Sequence, residues 1–159
     1  MASGWFGVSP KAVVTTGVKV DWTEEEHAGI SKLIDMPVRW FETEEEARER
    51  FVLVTGLKGI ADPGSDFARS GIVEENRQWR LAADNRAAMV AYADTQDIYA
   101  AARAPVVLAA GEHDRMVSAA DLRTLDPSAR ELSGLGHNAH VEDPEKFWEL
   151  IAETAGVES

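Results

Sequence analysis

The last third of the chain carries the pattern that most restricts its fold. Residues 104–110, Ala-Pro-Val-Val-Leu-Ala-Ala, form a short apolar run entered through a proline, which is typical of a buried parallel strand. A capped helix and a brief strand at residues 130–132 follow. Asp143 and Pro144 then begin a final helix as its N-cap and first residue. This strand–helix–strand–helix succession predicts a parallel sheet with helices on its faces.

Two residues whose side chains can act in catalysis follow these two strands. Asp114 ends the first loop and His137 lies in the second, next to Gly134 and Gly136. Since a right-handed crossover brings consecutive parallel strands to one sheet edge, the two side chains are expected to meet there. A carboxylate that accepts a hydrogen bond from one imidazole nitrogen leaves the other nitrogen free as a general base. Considered singly, each residue has a plainer interpretation, as a turn or cap aspartate and as a solvated histidine.

The rest of the chain is predicted to be one early strand and a polar, helix-rich middle. Residues 11–17 are short and β-branched, which predicts a buried strand. Thr23 and Thr43 each stand three residues before a glutamate, the capping-box pattern for a helix start. Residues 72–81 are expected to form a hairpin turning near Asn76. Two further helices are expected between Asp84 and about residue 103.

Composition excludes several classes of function. A net charge of −12 disfavours nucleic acid and anionic membranes as partners, since both attract clustered Lys and Arg. No apolar run approaches the roughly 18 residues of a membrane span, and no signal-peptide pattern begins the chain. The absence of cysteine excludes disulfides and thiolate sites. By elimination, we expect a cytoplasmic protein.

Two stretches together resemble the C-terminal part of the α/β-hydrolase superfamily. Residues 105–114, Pro-Val-Val-Leu-Ala-Ala-Gly-Glu-His-Asp, look like the strand that ends in that family's Gly-x-x-Asp. Residues 136–147 contain Gly-His followed by Glu-Asp-Pro-Glu, similar to the family's histidine loop and Glu-x-Pro helix start. Residues 12–14 look like its sixth strand.

This resemblance implies an α/β class and a partial α/β-hydrolase fold, with about three parallel strands, flanking helices and a mainly helical lid. Residues 1–20 and 104–159 would form the core, and residues 21–103 the lid. The implied activity is hydrolysis of a small-molecule ester, amide, thioester or carbon–carbon substrate by Ser-His-Asp chemistry without a cofactor. Asp114 would orient the imidazole and His137 would act as general base.

The family's nucleophile is missing from this pattern. Its Gly-x-Ser-x-Gly elbow occurs nowhere in the sequence, and only ten residues precede the first predicted strand. Ser65 is the nearest candidate, but it follows Pro63 and Gly64 in a loop, where a structural turn is favoured. We therefore expect a fragment, from an internal start, a broken gene or a split protein, and an isolated chain without triad-type turnover.

Other candidates remain open at the level of sequence. Trp22, Trp40 and His140 are candidate substrate contacts, although the tryptophans could equally pack the lid itself. Glu142 is a candidate for orienting the histidine loop. His137 and His140 could suggest a metal site, but no third fixed ligand is evident, so neither metal nor cofactor is expected.

A different class of function also remains open, a non-catalytic binding or assembly module. Without earlier strands, the edge of the sixth strand would be unpaired. It could then form a homodimer or complement a separate chain that bears the nucleophile.

Overall fold

The computed structural model describes residues 9–157, which divide into two compact units. One unit consists of the residues up to Trp22 together with those from Ala93 onward, and the other runs from Thr23 to Tyr92. The first eight residues of the predicted core segment lie outside the described residues. The assignment of residues 21–103 as a lid stays a prediction.

The secondary structure alternates as expected for an α/β chain. In order, the elements are β1 (Val13–Thr16), α1 (Glu24–Asp35), α2 (Glu44–Val54), α3 (Asp66–Ser70), β2 (Ile72–Glu75), β3 (Gln78–Leu81), a 3-10 helix (Asn85–Tyr92), α4 (Thr95–Ala100), β4 (Val106–Gly111), α5 (Ala119–Leu122), β5 (Arg130–Leu132), α6 (Ala139–Glu142) and α7 (Pro144–Ala155).

The first unit is built on a parallel sheet of three strands in the order β1-β4-β5. Side chains alternate across the central strand β4. Leu108 and Ala110 face one apolar cluster, in which Leu122 of α5 is fully buried. Ala109 faces the other cluster with Leu150 of α7. The predicted fold class, a sheet of about three parallel strands flanked by helices, is therefore confirmed.

Strand β1 is less buried than its sequence predicted. All four of its residues are only partly buried, because within the described residues it pairs with β4 alone and forms an edge of the sheet. Beside it lies a largely apolar cavity of about 210 Å³, lined by residues that include Val13, Thr15, Tyr99 and Leu108. The buried hydroxyls of Thr15 and Thr16 have no hydrogen-bond partner among residues 9–157.

The second unit contains the predicted capped helices and hairpin. Thr23 and Thr43 each complete a full capping box, so both predicted helix starts are confirmed. Strands β2 and β3 pair antiparallel, and Asn76 and Arg77 turn between them with φ of 52° and 64°. The helix expected from Asp84 is instead the 3-10 helix. The alanine-rich helix expected to reach about residue 103, which belongs to the first unit, is only the short α4.

Candidate active site

The acid loop and the histidine loop meet at the carboxyl ends of β4 and β5. Asp114 Oδ2 lies 2.9 Å from His137 Nδ1. The Asp114 side chain is fully buried, whereas 37% of the His137 side chain is exposed. The structure therefore joins the two predicted residues in one hydrogen bond, with the histidine as the accessible member.

The second oxygen of Asp114 is used by its own loop. Oδ1 accepts hydrogen bonds from the backbone N–H groups of Met116 at 2.8 Å and Val117 at 3.3 Å. A buried carboxylate is costly unless such donors compensate it, and these bonds also fix its rotation. Oδ2 is consequently directed to the imidazole. Within residues 9–157, no hydrogen bond engages Nε2 of His137, so that nitrogen can serve as a proton acceptor.

Two glycines allow the backbone to approach this pair closely. A Cβ on Gly111 would lie only 2.2 Å from the carbonyl oxygen of Gly136, so no larger residue fits where β4 meets the histidine loop. Gly17, just after β1, has φ +64°, and a Cβ there would lie 3.0 Å from Nδ1 and Cε1 of His137. Sequence reasoning did not select either glycine, although Gly111 begins the Gly-x-x-Asp pattern.

Two further carboxylates contact the histidine loop. Glu142 accepts from the N–H of Gly136 at 2.5 Å and from that of Asn138 at 3.0 Å. Its role in orienting the histidine loop stays a prediction. Glu112 accepts from the N–H of Gly134 at 2.8 Å and from Ser133 Oγ at 3.0 Å. These two bonds hold the pKa of Glu112 below its ordinary value, and the backbone bond from Gly134 has the larger effect. Sequence reasoning missed Glu112, for which the only signal is its place in the acid loop.

The other predicted contacts lie in different surroundings. Trp22 is partly buried, with Lys19 Nζ 5.3 Å from the centroid of its ring. Trp40 belongs to the second unit, is 39% exposed and has the Arg80 guanidinium 5.9 Å from its ring. His140 is exposed, with its ring 6.1 Å from that of Phe147. Their role as substrate contacts stays a prediction.

The described part of the chain contains neither a metal-binding cluster nor a helix of membrane-spanning character. No group of three or more His, Asp or Glu side chains there could hold a metal ion. No helix in that part is long and apolar enough to cross a bilayer.

The fold corresponds to part of the fold of known hydrolases. It matches E-2-(acetamidomethylene)succinate hydrolase with a TM-score of 0.61 and 21% identity, over 92% of this chain and 58% of that one. The chain has a partial α/β-hydrolase fold. An esterase from Mycobacterium tuberculosis matches with a TM-score of 0.62 and 16% identity, over 92% of this chain and 55% of that one.

A third match indicates the same extent of fold. The thioesterase domain from the curacin biosynthetic pathway has a TM-score of 0.59 and 16% identity, over 89% of this chain and 57% of that one. The chain thus spans little more than half the length of these structures. No protein-family model and no curated protein matches the sequence.

Proposed function

We propose that this chain supplies the acid and the histidine of an α/β-hydrolase. The substrate would be a small-molecule ester, amide, thioester or carbon–carbon compound. The observation that carries the proposal is the 2.9 Å bond between buried Asp114 and the accessible imidazole of His137. The hydrolases, esterases and thioesterases of similar fold support it.

The proposed chemistry follows from the two ends of the imidazole. Asp114 accepts a hydrogen bond from Nδ1–H, so the neutral ring presents an unprotonated Nε2. Nε2 takes the proton of a serine hydroxyl as that oxygen attacks the substrate carbonyl, and the resulting imidazolium is stabilised by the Asp114 carboxylate. The imidazolium then protonates the leaving group, and water releases the acyl group by the same route. The serine is supplied by residues other than those described, in a further segment or a separate chain.

Asp114→Asn tests the orienting role directly in the 159-residue chain. The amide oxygen of the substituted side chain would replace Oδ1 as acceptor for the N–H groups of Met116 and Val117, so its N–H₂ group would face Nδ1. The neutral imidazole would then carry its proton on Nε2 and lose its function as a base. Nitrogen-15 NMR of His137 should report Nδ1–H in the parent and Nε2–H in the variant. An unchanged tautomer would refute the orienting role.

The lack of a Gly-x-Ser-x-Gly motif in the sequence gives a second test. The purified chain should react with no serine-directed fluorophosphonate and should hydrolyse p-nitrophenyl acetate no faster than its His137→Ala variant. Rapid hydrolysis that depends on His137 would contradict the proposal. Sequencing the DNA upstream should extend the reading frame to an apolar strand and Gly-x-Ser-x-Gly, and in that longer protein both Asp114→Asn and His137→Ala should abolish turnover.

We also propose that residues 21–103 form a lid over the substrate. Trp22, Trp40 and His140 would then contact substrate. In the longer protein, Trp40→Ala should raise KM more than it lowers kcat, because the lost contact is made in both ground and transition states. We further propose that the protein acts in the cytoplasm without a cofactor, and cell fractionation tests this location.

Among residues 9–157, the outer edge of β1 has no strand partner, which favours a second candidate function, assembly with another chain. Val13 N–H bonds to Pro105 O and Gly17 N–H to Ala109 O, so the alternate N–H groups of Val14 and Thr16 are directed to the open edge. Val14→Pro would remove one outward N–H, whereas Val13→Pro would break the sheet itself. Sedimentation should find a dimer that Val14→Pro dissociates. A parent chain that stays monomeric at high concentration would exclude self-association.

A further inference from the structure

Three alternate N–H groups of the histidine loop point to carboxylates. Gly134 N–H donates to Glu112, from the acid loop, while Gly136 and Asn138 donate to Glu142, at the end of α6. His137 lies between the last two donors. Bonds from N–H to a charged carboxylate are stronger than those between neutral groups. The loop is thus held on both sides of the imidazole by one side chain.

The two carboxylates differ in how they use their oxygens. Glu142 uses both, since Oε2 accepts from Gly136 and Oε1 from Asn138. Within residues 9–157, Glu112 uses Oε2 alone, which accepts from both Gly134 and Ser133. A glutamine side chain has one acceptor oxygen and one N–H₂ donor. Glutamine can therefore replace Glu112 without losing a bond, whereas at position 142 its N–H₂ would oppose a backbone donor.

From this asymmetry we infer that Glu142 is the positioning residue of His137 and requires its full carboxylate, while Glu112 only joins the two loops. The inference rests on the proposed function, in which His137 is the base. Glu142 does not touch substrate; it sets the direction of the imidazole by fixing the peptides on either side of it.

Gly136 provides a second, independent way to disturb this contact. A Cβ at Gly136 would lie 3.0 Å from Oε1 and 3.2 Å from Oε2 of Glu142. Gly136→Ala therefore displaces the carboxylate by a few tenths of an ångström without removing its charge. Because Gly136 does not have a positive φ, the substitution adds no backbone strain of its own.

The test measures solvent exchange of the His137 Nδ1–H proton by NMR in the 159-residue chain. Exchange should accelerate by roughly tenfold or more in Glu142→Gln and Gly136→Ala, as expected when a charge-assisted bond is weakened. In Glu112→Gln it should stay within about twofold of the parent. Far-UV circular dichroism and the melting temperature identify any variant that merely unfolds. If Glu142→Gln unfolds, the exchange rate in Gly136→Ala decides the outcome.

Any other pattern overturns the inference. Parent-like exchange in folded Glu142→Gln and Gly136→Ala would mean that α6 does not position the imidazole. Equally accelerated Nδ1–H exchange in Glu112→Gln would mean that the number of carboxylate oxygens used as acceptors does not matter. Asp114→Asn separates this failure from failure of the proposed function, because it replaces the acid of the Asp114–His137 bond and leaves Glu142 and Gly136 unchanged.

Discussion

Gly17 lies against the imidazole of His137, although the two residues are far apart along the chain. A Cβ added to Gly17 would lie 3.0 Å from both Nδ1 and Cε1 of the ring. The end of β1 therefore forms one wall of the acid–histidine pair, and the space available to the imidazole is fixed by the absence of a side chain at this position.

Gly17→Ala should consequently displace the imidazole. The variant meets two costs, a non-glycine residue at φ +64° and contact with the ring. Gly134→Ala is the matched control, since Gly134 has φ +76° but a Cβ there would meet nothing within 4 Å. Each should lose about 1 kcal/mol of unfolding free energy from backbone strain. Only Gly17→Ala should alter the His137 NMR signals; equal signals in both would contradict the contact.

Gly111→Ala should be far more damaging than either. Its Cβ would lie 2.2 Å and 2.4 Å from the carbonyl oxygens of Gly136 and Leu135, which are backbone atoms that cannot rotate away. Overpacking of this kind costs about 1–3 kcal/mol or more. Urea unfolding should give a lower midpoint than for Gly134→Ala, and the Asp114–His137 bond should be lost. A midpoint equal to that of the parent would show that β4 and the histidine loop can separate freely.

Thr15→Val should stabilise the chain. The Thr15 hydroxyl is buried and without a partner among the described residues, and valine has the same shape without the polar group. Removing an unsatisfied hydroxyl should raise the unfolding free energy by about 1 kcal/mol. Thr154→Val is the control, because Thr154 Oγ1 donates to Leu150 O at 2.7 Å and its loss should be destabilising. Urea unfolding of the two variants should shift in opposite directions.

The Tyr99–Asp126 hydrogen bond should make stability depend on pH at both extremes. Tyr99 Oη donates to Asp126 Oδ2 at 2.7 Å, which raises the pKa of Tyr99 above 10.0. Bonds from Ser128 and Tyr99 lower the pKa of Asp126 below 3.8. The raised group contributes stability below pH 10.0 that is lost as pH rises through its folded pKa. The lowered group contributes stability above pH 3.8 that is lost as pH falls through its folded pKa.

Tyr99→Phe tests this dependence. The variant should lose about 1 kcal/mol of unfolding free energy at neutral pH, the usual worth of such a bond. Its stability should then fall less steeply above pH 10.0 than that of the parent, since the ionising phenol is gone. Unfolding curves at neutral and alkaline pH provide the comparison. If the unfolding free energies of parent and variant fall equally steeply with pH above 10.0, Tyr99 is not the group responsible for the alkaline loss of stability.

Local chemistry made much of this fold predictable. The caps at Thr23 and Thr43 depend on side chains three residues apart, and both formed as capping boxes. The meeting of Asp114 and His137 was also predictable, because consecutive parallel strands end at one edge of a sheet.

The features that escaped prediction depend on distant parts of the chain. The partial exposure of β1 follows from its place at the sheet edge, which its own residues do not encode. The approach of Gly17 to His137 joins loops far apart in sequence. The helices near residues 85–103 are shorter or of a different type than the sequence predicted. Alanine favours helix locally, but tertiary context decides where a helix ends.

The pairing of β1 with β4 has a consequence for biosynthesis. The two strands are neighbours in the sheet, yet the whole of residues 23–92 is translated between them. Strand β1 therefore leaves the ribosome long before β4 exists, and their pairing has to wait for the intervening residues. A unit such as residues 23–92 that becomes compact meanwhile shortens the loop that β1 and β4 must close. The time needed to translate residues 23–92 thus sets how long β1 waits for β4 in the nascent chain.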